Sequence, residues 1–231
     1  MGAFFYSFFL KYYSFILFIF FTTSILAQKL EKKTIVTTSK TIIIELESIN
    51  QLKLISTDVI DVIELSYEDF DLTNRPTIND DNDALHIKVI GNPNKIVGSD
   101  KTKYRAGQPV FPSYIVKLPK NMTVKAIYDK GNFYTKNFIG SLDLHLNHGV
   151  VDILNFKGDV NIRSYSGIIN CEISEAKLDV ESTKGILETA LDDKRLQLTK
   201  TDLKGVYKNT LNSLTIKTIA SKISLNPVRT Q

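Results

Sequence analysis

The sequence predicts a mostly β protein: a strand-rich N-terminal segment followed by a right-handed β-solenoid of nine-residue strand-corner words, about eighteen residues per coil. Three observations carry this expectation. Glycine returns at Gly131, Gly140, Gly149, Gly158 and Gly167. The third residue of each word is apolar, from Phe133 through Leu142, Val151, Val160, Ile169 and Leu178 to Leu187. The fifth is apolar in most words, at Leu144, Ile153, Ile162, Cys171 and Val180. Positions three and five share one strand face because side chains alternate. A glycine at the corner tolerates a positive φ or a close backbone approach that a Cβ would forbid.

The first 27 residues stand apart. They carry one charge, Lys11, then the apolar run Phe15 to Phe21, and end on Ile25 and Ala27 before Gln28. This order reads as a secretory signal peptide over 1–27, or alternatively as an N-terminal membrane anchor. Both readings place the remainder outside the cytoplasm: periplasm, outer-membrane surface or extracellular space. Residues 28–112 read as a strand-rich lead-in, with alternation in "QLKLIST", "DVIELSYE" and "ALHIKVI". Two polar, Pro- and Gly-containing stretches within it, 70–83 and 91–112, are expected to be mobile loops. Residues 113–231 hold the repeats. "NF" recurs at Asn137-Phe138 and Asn155-Phe156, eighteen apart, which favours eighteen residues per coil over nine or twenty-seven. Gly185 opens a further word, whereas Ala176 and Lys194 stand where glycine is expected.

Composition narrows the function classes. The chain has 231 residues, 43% of them hydrophobic, with 29 basic and 25 acidic side chains for a net charge of +4. That balance lacks the basic stripe of a nucleic-acid binder, so no nucleic-acid partner is expected. The single cysteine, Cys171, takes a core-facing repeat position and reads as a small buried hydrophobe.

Candidate chemistry is sparse, and no catalytic, cofactor-binding or metal-ligating residue is assigned. His145 and His148 sit near Asp143 and Asp152, but an outward arm and a corner would hold the two histidines apart. "NDDND" at 79–83 lacks the sixth-position glycine and distal Glu of a calcium loop. Under the eighteen-residue register, outward residues form two columns: Asp143, Asn161, Asp179, Gln197 and His145, Arg163, Glu181, Thr199. Asp143 and Asp179 would then lie two rungs apart, about 9.6 Å. That separation keeps open a polysaccharide-active enzyme using exposed carboxylates. In the second column Arg163 and Glu181 are expected to pair. A corner column of Lys130, His148, Ser166, Lys184 and Lys204 is the candidate anion-binding stripe. Gly131, Gly140, Gly149, Gly158, Gly167 and Gly185 are the expected corner glycines.

"YIVKLP" at Tyr114 to Pro119, followed by glycine-punctuated strands, resembles the bacterial putative-adhesin families of exported β-solenoids, whose function is uncharacterised. The resemblance spans roughly Thr34 to Leu225 and is densest from Tyr114 to Leu187. Pro119 and the glycines at 131, 149, 158, 167 and 185 match its pattern; Ala176, Lys194 and the coil around Leu211 depart from it. It implies a non-enzymatic, adhesin-like binding or scaffolding module of the cell envelope. The partner is left unknown: the corner column allows an anionic envelope polysaccharide, another envelope protein is the alternative, and no cofactor is expected.

Overall fold

The computed structural model describes residues 30–68, 75–81, 83–89 and 111–228. The expected signal segment and residues 91–110 of the second expected loop lie outside these. Among the described residues there are fourteen strands and no helix.

The centre of the molecule is β8 (Met122–Lys157) and β9 (Asp159–Ile173). They pair in parallel at an offset of eighteen, Leu142 against Val160 and Val151 against Ile169. β8 also folds back on itself. Asn147 Nδ2 donates to Asp129 Oδ1 at 2.7 Å, and Asn155 Nδ2 to Asn137 Oδ1 at 3.2 Å, eighteen residues apart in each case. A straight strand would separate such residues by about 60 Å. The chain therefore returns to stack on itself once per eighteen residues, and each rung has two arms meeting at a corner.

Alternation sends one side of each arm into the core. Leu142, Leu144, Val160 and Ile162 stack from one arm, and Phe133, Val151, Ile153 and Ile169 from the other, all at most 2% exposed. Burying each such side chain contributes about 1.5–3 kcal/mol. Cys171 lies in this core at 1% exposure, its rung neighbours being Ile153 and Leu225. The recurring "NF" pair has a conformational cause. Asn137 and Asn155 take φ of 53° and 65°, a left-handed turn that asparagine tolerates. The phenylalanines that follow, Phe138 and Phe156, are both buried.

The corners need glycine for space as well as torsion. Gly167 has φ of 140°, and a Cβ there would lie 2.0 Å from the Gly149 carbonyl oxygen. Gly158, φ 114°, stands in the same relation to Gly140 at 2.2 Å. Gly131, Gly140 and Gly149 also carry positive φ. Gly185 does not; there the Ser221 carbonyl oxygen, 1.9 Å from an added Cβ, leaves no room.

The order of the rungs departs from the order of the chain. β10 (Ala176–Ser182) and β11 (Ile186–Thr189) follow β9 in sequence but do not stack on it. β14 (Ser213–Pro227) occupies that position, with Leu214 against Val160 and Ile223 against Ile169. Its other edge carries β10 and β11, Leu214 against Leu178 and Ile223 against Leu187. The expectation that successive words stack in sequence order is thus corrected beyond Ile173. β13 (Asp202–Tyr207) and β12 (Leu196–Leu198) then run antiparallel, β13 on β10 and β12 on β13.

The N-terminal end is threaded similarly. β2 (Thr41–Glu45) and β3 (Ser48–Thr57) stack on the two arms of the first β8 rung, Ile42 against Val124 and Leu52 against Phe133. β6 (Leu85–Lys88) lies outside β2, and β7 (Ser113–Pro119) outside β3. β4 (Val62–Glu68) and β1 (Leu30–Val36) finish one arm antiparallel, and β5 (Thr77–Asp80) finishes the other. The sheet therefore runs across residue 113 without a break. β5 also corrects the expected loop 70–83: Ile78 pairs with Ile87 and packs on the core, which makes strand of residues 77–80. From β1 to β12 the sheet order does not close on itself.

Candidate functional site

Insertion of β14 rearranges both outward columns. The first reads Asp143, Asn161, Thr215, Asp179, then Lys204 of β13. Asp143 and Asp179 are three rungs apart, about 14 Å by strand spacing, wider than the span that suits an inverting pair of carboxylates. Each is also engaged. Asp143 Oδ1 accepts from Asn161 Nδ2 at 2.6 Å and meets His145 Nε2 at 3.0 Å. Asp179 Oδ1 accepts from Lys217 Nζ at 3.1 Å and lies 3.8 Å from Lys204 Nζ. Gln197 falls opposite Lys204 rather than on Asp179.

The second column reads His145, Arg163, Lys217, Glu181 and then Asp202, so Thr199 is not part of it. The expected Arg163–Glu181 pair is absent because Lys217 stands between them and donates to Glu181 Oε2 at 3.0 Å. Flanking carboxylates and desolvation act on the Lys217 ammonium in opposite senses, and the net effect holds its pKa above the usual lysine value. Arg163 is left exposed, with no ion pair among the described residues.

The corner column comes together in part. His148 is level with Ser166, Nδ1 to Oγ 2.7 Å, and Lys130 lies one rung away beside Ser48. Ala220 stands level with Ser166 on the far side, and the Lys184 amide follows, donating to the Ile219 carbonyl. Lys204 does not belong here; it lies mid-strand opposite Asp179. The two histidines part, His145 to Asp143 and His148 to Ser166. In "NDDND", Asn79 and Asp80 are in β5, Asp81 accepts the Ala84 amide at 3.0 Å, and Asn82 lies outside the described residues.

Between the column of Arg163 and the corner runs an open groove of about 660 Å³, lined from six successive rungs. Its walls include Leu46, Asn147, Arg163, Tyr165, Lys217 and Thr183. Tyr165 shares the outward face with Arg163 two residues earlier and is 53% exposed. The His148 ring meets it edge-on at 5.7 Å between centroids, and Ser166 holds His148. Tyr165 is thus braced as well as exposed. Another lining residue is Tyr128, 3% exposed, whose hydroxyl has no hydrogen-bond partner among the described residues. Burial pushes that phenol well above its ordinary pKa, so it stays protonated. Sequence reasoning missed Tyr165, Tyr128 and Lys217. For Tyr165 the outward parity of an aromatic residue beside a corner glycine was the available signal; Lys217 carried none, because its rung depends on the chain order.

No family model and no curated relative matches the chain. Its fold is similar to that of a solved adhesion protein. This is a putative cell adhesion protein from Clostridium sporogenes ATCC 15579, with a TM-score of 0.57 at 15% identity, the match covering 86% of this chain and 100% of that one. A putative adhesin from Bacteroides fragilis NCTC 9343 aligns over 87% of this chain and 98% of that one, at 10% identity and a TM-score of 0.34. At such identities the first likeness concerns the fold alone. No helix among the described residues is long and apolar enough to cross a membrane.

Proposed function

We propose that the protein is an exported, non-enzymatic binding module of the cell envelope, adhesin-like in role, whose binding surface is the groove beside Arg163 and Tyr165. In this reading the stacked rungs form a right-handed β-solenoid, and residues 1–27 direct export, as a cleaved signal or as a retained anchor. The observation that carries the proposal is a cation without a counter-charge among the described residues, next to a braced, exposed aromatic ring, both on an open groove. The name of the Clostridium sporogenes neighbour accords with an adhesive role.

Such a surface suits an extended polymer better than a compact metabolite, because it is open and repeats with the rung spacing of about 4.8 Å. The test is co-sedimentation of the full chain with envelope polymer stripped of protein. Wild type should bind, and Arg163→Ala/Tyr165→Ala should lose most of that binding while melting normally. Equal binding by the double variant would overturn the assignment of the groove.

A further inference from the structure

We infer that the groove takes one strand of a carboxylated polysaccharide, with a sugar ring stacked on Tyr165 and its carboxylate held by Arg163. This rests on the groove being the binding surface. Charge selects the class. Histidine aside, the charged residues that line the groove are, among the described residues, Asp129, Arg163, Glu181 and Lys217, which sum to zero. Lys217 is taken up by Asp179 and Glu181, which among the described residues leaves Arg163 as the free cation within the walls. A densely charged polymer such as a polyphosphate or nucleic acid would set its charges against Asp129 and Glu181 as well as against Arg163. A polymer with a carboxylate on only some of its residues meets one cation and two regions of hydrogen-bonding groups.

Geometry agrees. A guanidinium presents a planar fork that matches a carboxylate in two bonds. The face of Tyr165 offers an apolar platform for the C–H face of a pyranose, and His148 edge-on to it fixes the ring beforehand. Asp129 and Asn147, joined at 2.7 Å, and Thr183 beyond them lie where hydroxyls of neighbouring sugars would pass. The advance of one rung, about 4.8 Å, is close to that of an extended pyranose chain per residue. Lys130 and Lys184, both exposed and without ion pairs among the described residues, stand at the corner beside the groove. They add long-range attraction for an acidic strand that salt would screen.

The experiment uses the full chain and three probes followed by calorimetry: a hyaluronan oligosaccharide, in which only alternate sugars carry a carboxylate, the same oligosaccharide with its carboxyls reduced to alcohols, and linear polyphosphate. The hyaluronan oligosaccharide is expected to bind, and the reduced form to bind about tenfold more weakly, the loss of one charge-assisted contact. Arg163→Gln should abolish that preference, whereas Tyr165→Ala should weaken both sugars alike. Equal affinity for the acidic and reduced forms would overturn the role of the carboxylate while leaving a glycan-binding groove. Tighter binding of polyphosphate, or no binding of either sugar, would overturn the ligand class. Should the envelope co-sedimentation succeed while these probes fail, the groove stands and the uronate reading falls; failure of both removes both.

Discussion

Lys217, not Glu181, is the rung neighbour of Arg163. One ammonium from the last long strand bridges Asp179 and Glu181, and the guanidinium beside it has no ion pair among the described residues. The two cations should therefore respond oppositely to removal. Arg163→Gln is expected to change stability by less than about 0.5 kcal/mol, as for a surface site without partners. Lys217→Ala should cost about 1 kcal/mol, a partly exposed network being worth little more. Urea titration of both variants checks this, and a larger loss for Arg163→Gln would mean that it has a structural partner.

Corner glycines should resist substitution wherever the next rung's backbone fills the space. Gly167→Ala is expected to cost more than about 2 kcal/mol, because φ of 140° and the Gly149 carbonyl both exclude a Cβ. Its exposed neighbour makes the control: Ile168→Thr, at a side chain 43% exposed, should stay within about 0.5 kcal/mol. Thermal melts of the pair decide between a required corner and a permissive loop.

Val160 is 1% exposed, with Leu142 and Leu214 as its neighbours on either side. Val160→Asp would bury a carboxylate without a partner and should destabilise by more than about 3 kcal/mol. An unchanged melting temperature would exclude the inward facing of this residue.

Deletion of residues 209–231 tests the threading. In an array stacked in chain order, such a truncation would remove the outermost rung and spare the rest. Here it removes the rung that joins β9 to β10 and β11. Hydrogen exchange should then show loss of protection throughout β10 and β13, with β8 retained. Persistent protection at Val180 and Leu203 would contradict the register.

Cys171 supplies a prediction in pH. Burial, with the nearby Asp152 charge, pushes its thiol up from 9.0 to about 12. A raised pKa means that the folded state holds the proton more tightly. The associated stability is fully present below pH 9 and is lost as pH rises toward 12. The urea midpoint of wild type should fall between pH 8 and 10.5 more steeply than that of Cys171→Val, and alkylation of the native thiol should track unfolding.

Much of the central architecture was legible because it rests on local rules. Alternation placed Leu142, Val151 and Val160 inward, and the glycine spacing with the Asn-Phe recurrence gave the eighteen-residue offset later seen between β8 and β9. The placement of β14 was not legible. Leu214 and Ile216 present the same inward pattern, leucine and then a β-branched residue, as Leu178 and Val180, so nothing local says which of them docks on Val160. The choice is made by long-range pairing, and every column that counted rungs past Ile173 inherited the error, including Lys204 at the corner and Glu181 beside Arg163. β5 was hidden for a simpler reason: in "TIND" only Ile78 is apolar, too little for alternation to register.

The late arrival of β14 also sets an order of events. Lys217, Thr218 and Ile219 line the groove, so the groove is complete only when the segment after residues 176–207 pairs between β9 and β10. Contacts across that slot link residues 54 apart to one side and 36 to the other, and pairing of such reach is slow to form. A partially synthesised or clipped chain therefore displays Arg163 and Tyr165 without the wall that faces them. In the proposed reading, recognition therefore depends on β14 being in place between β9 and β10.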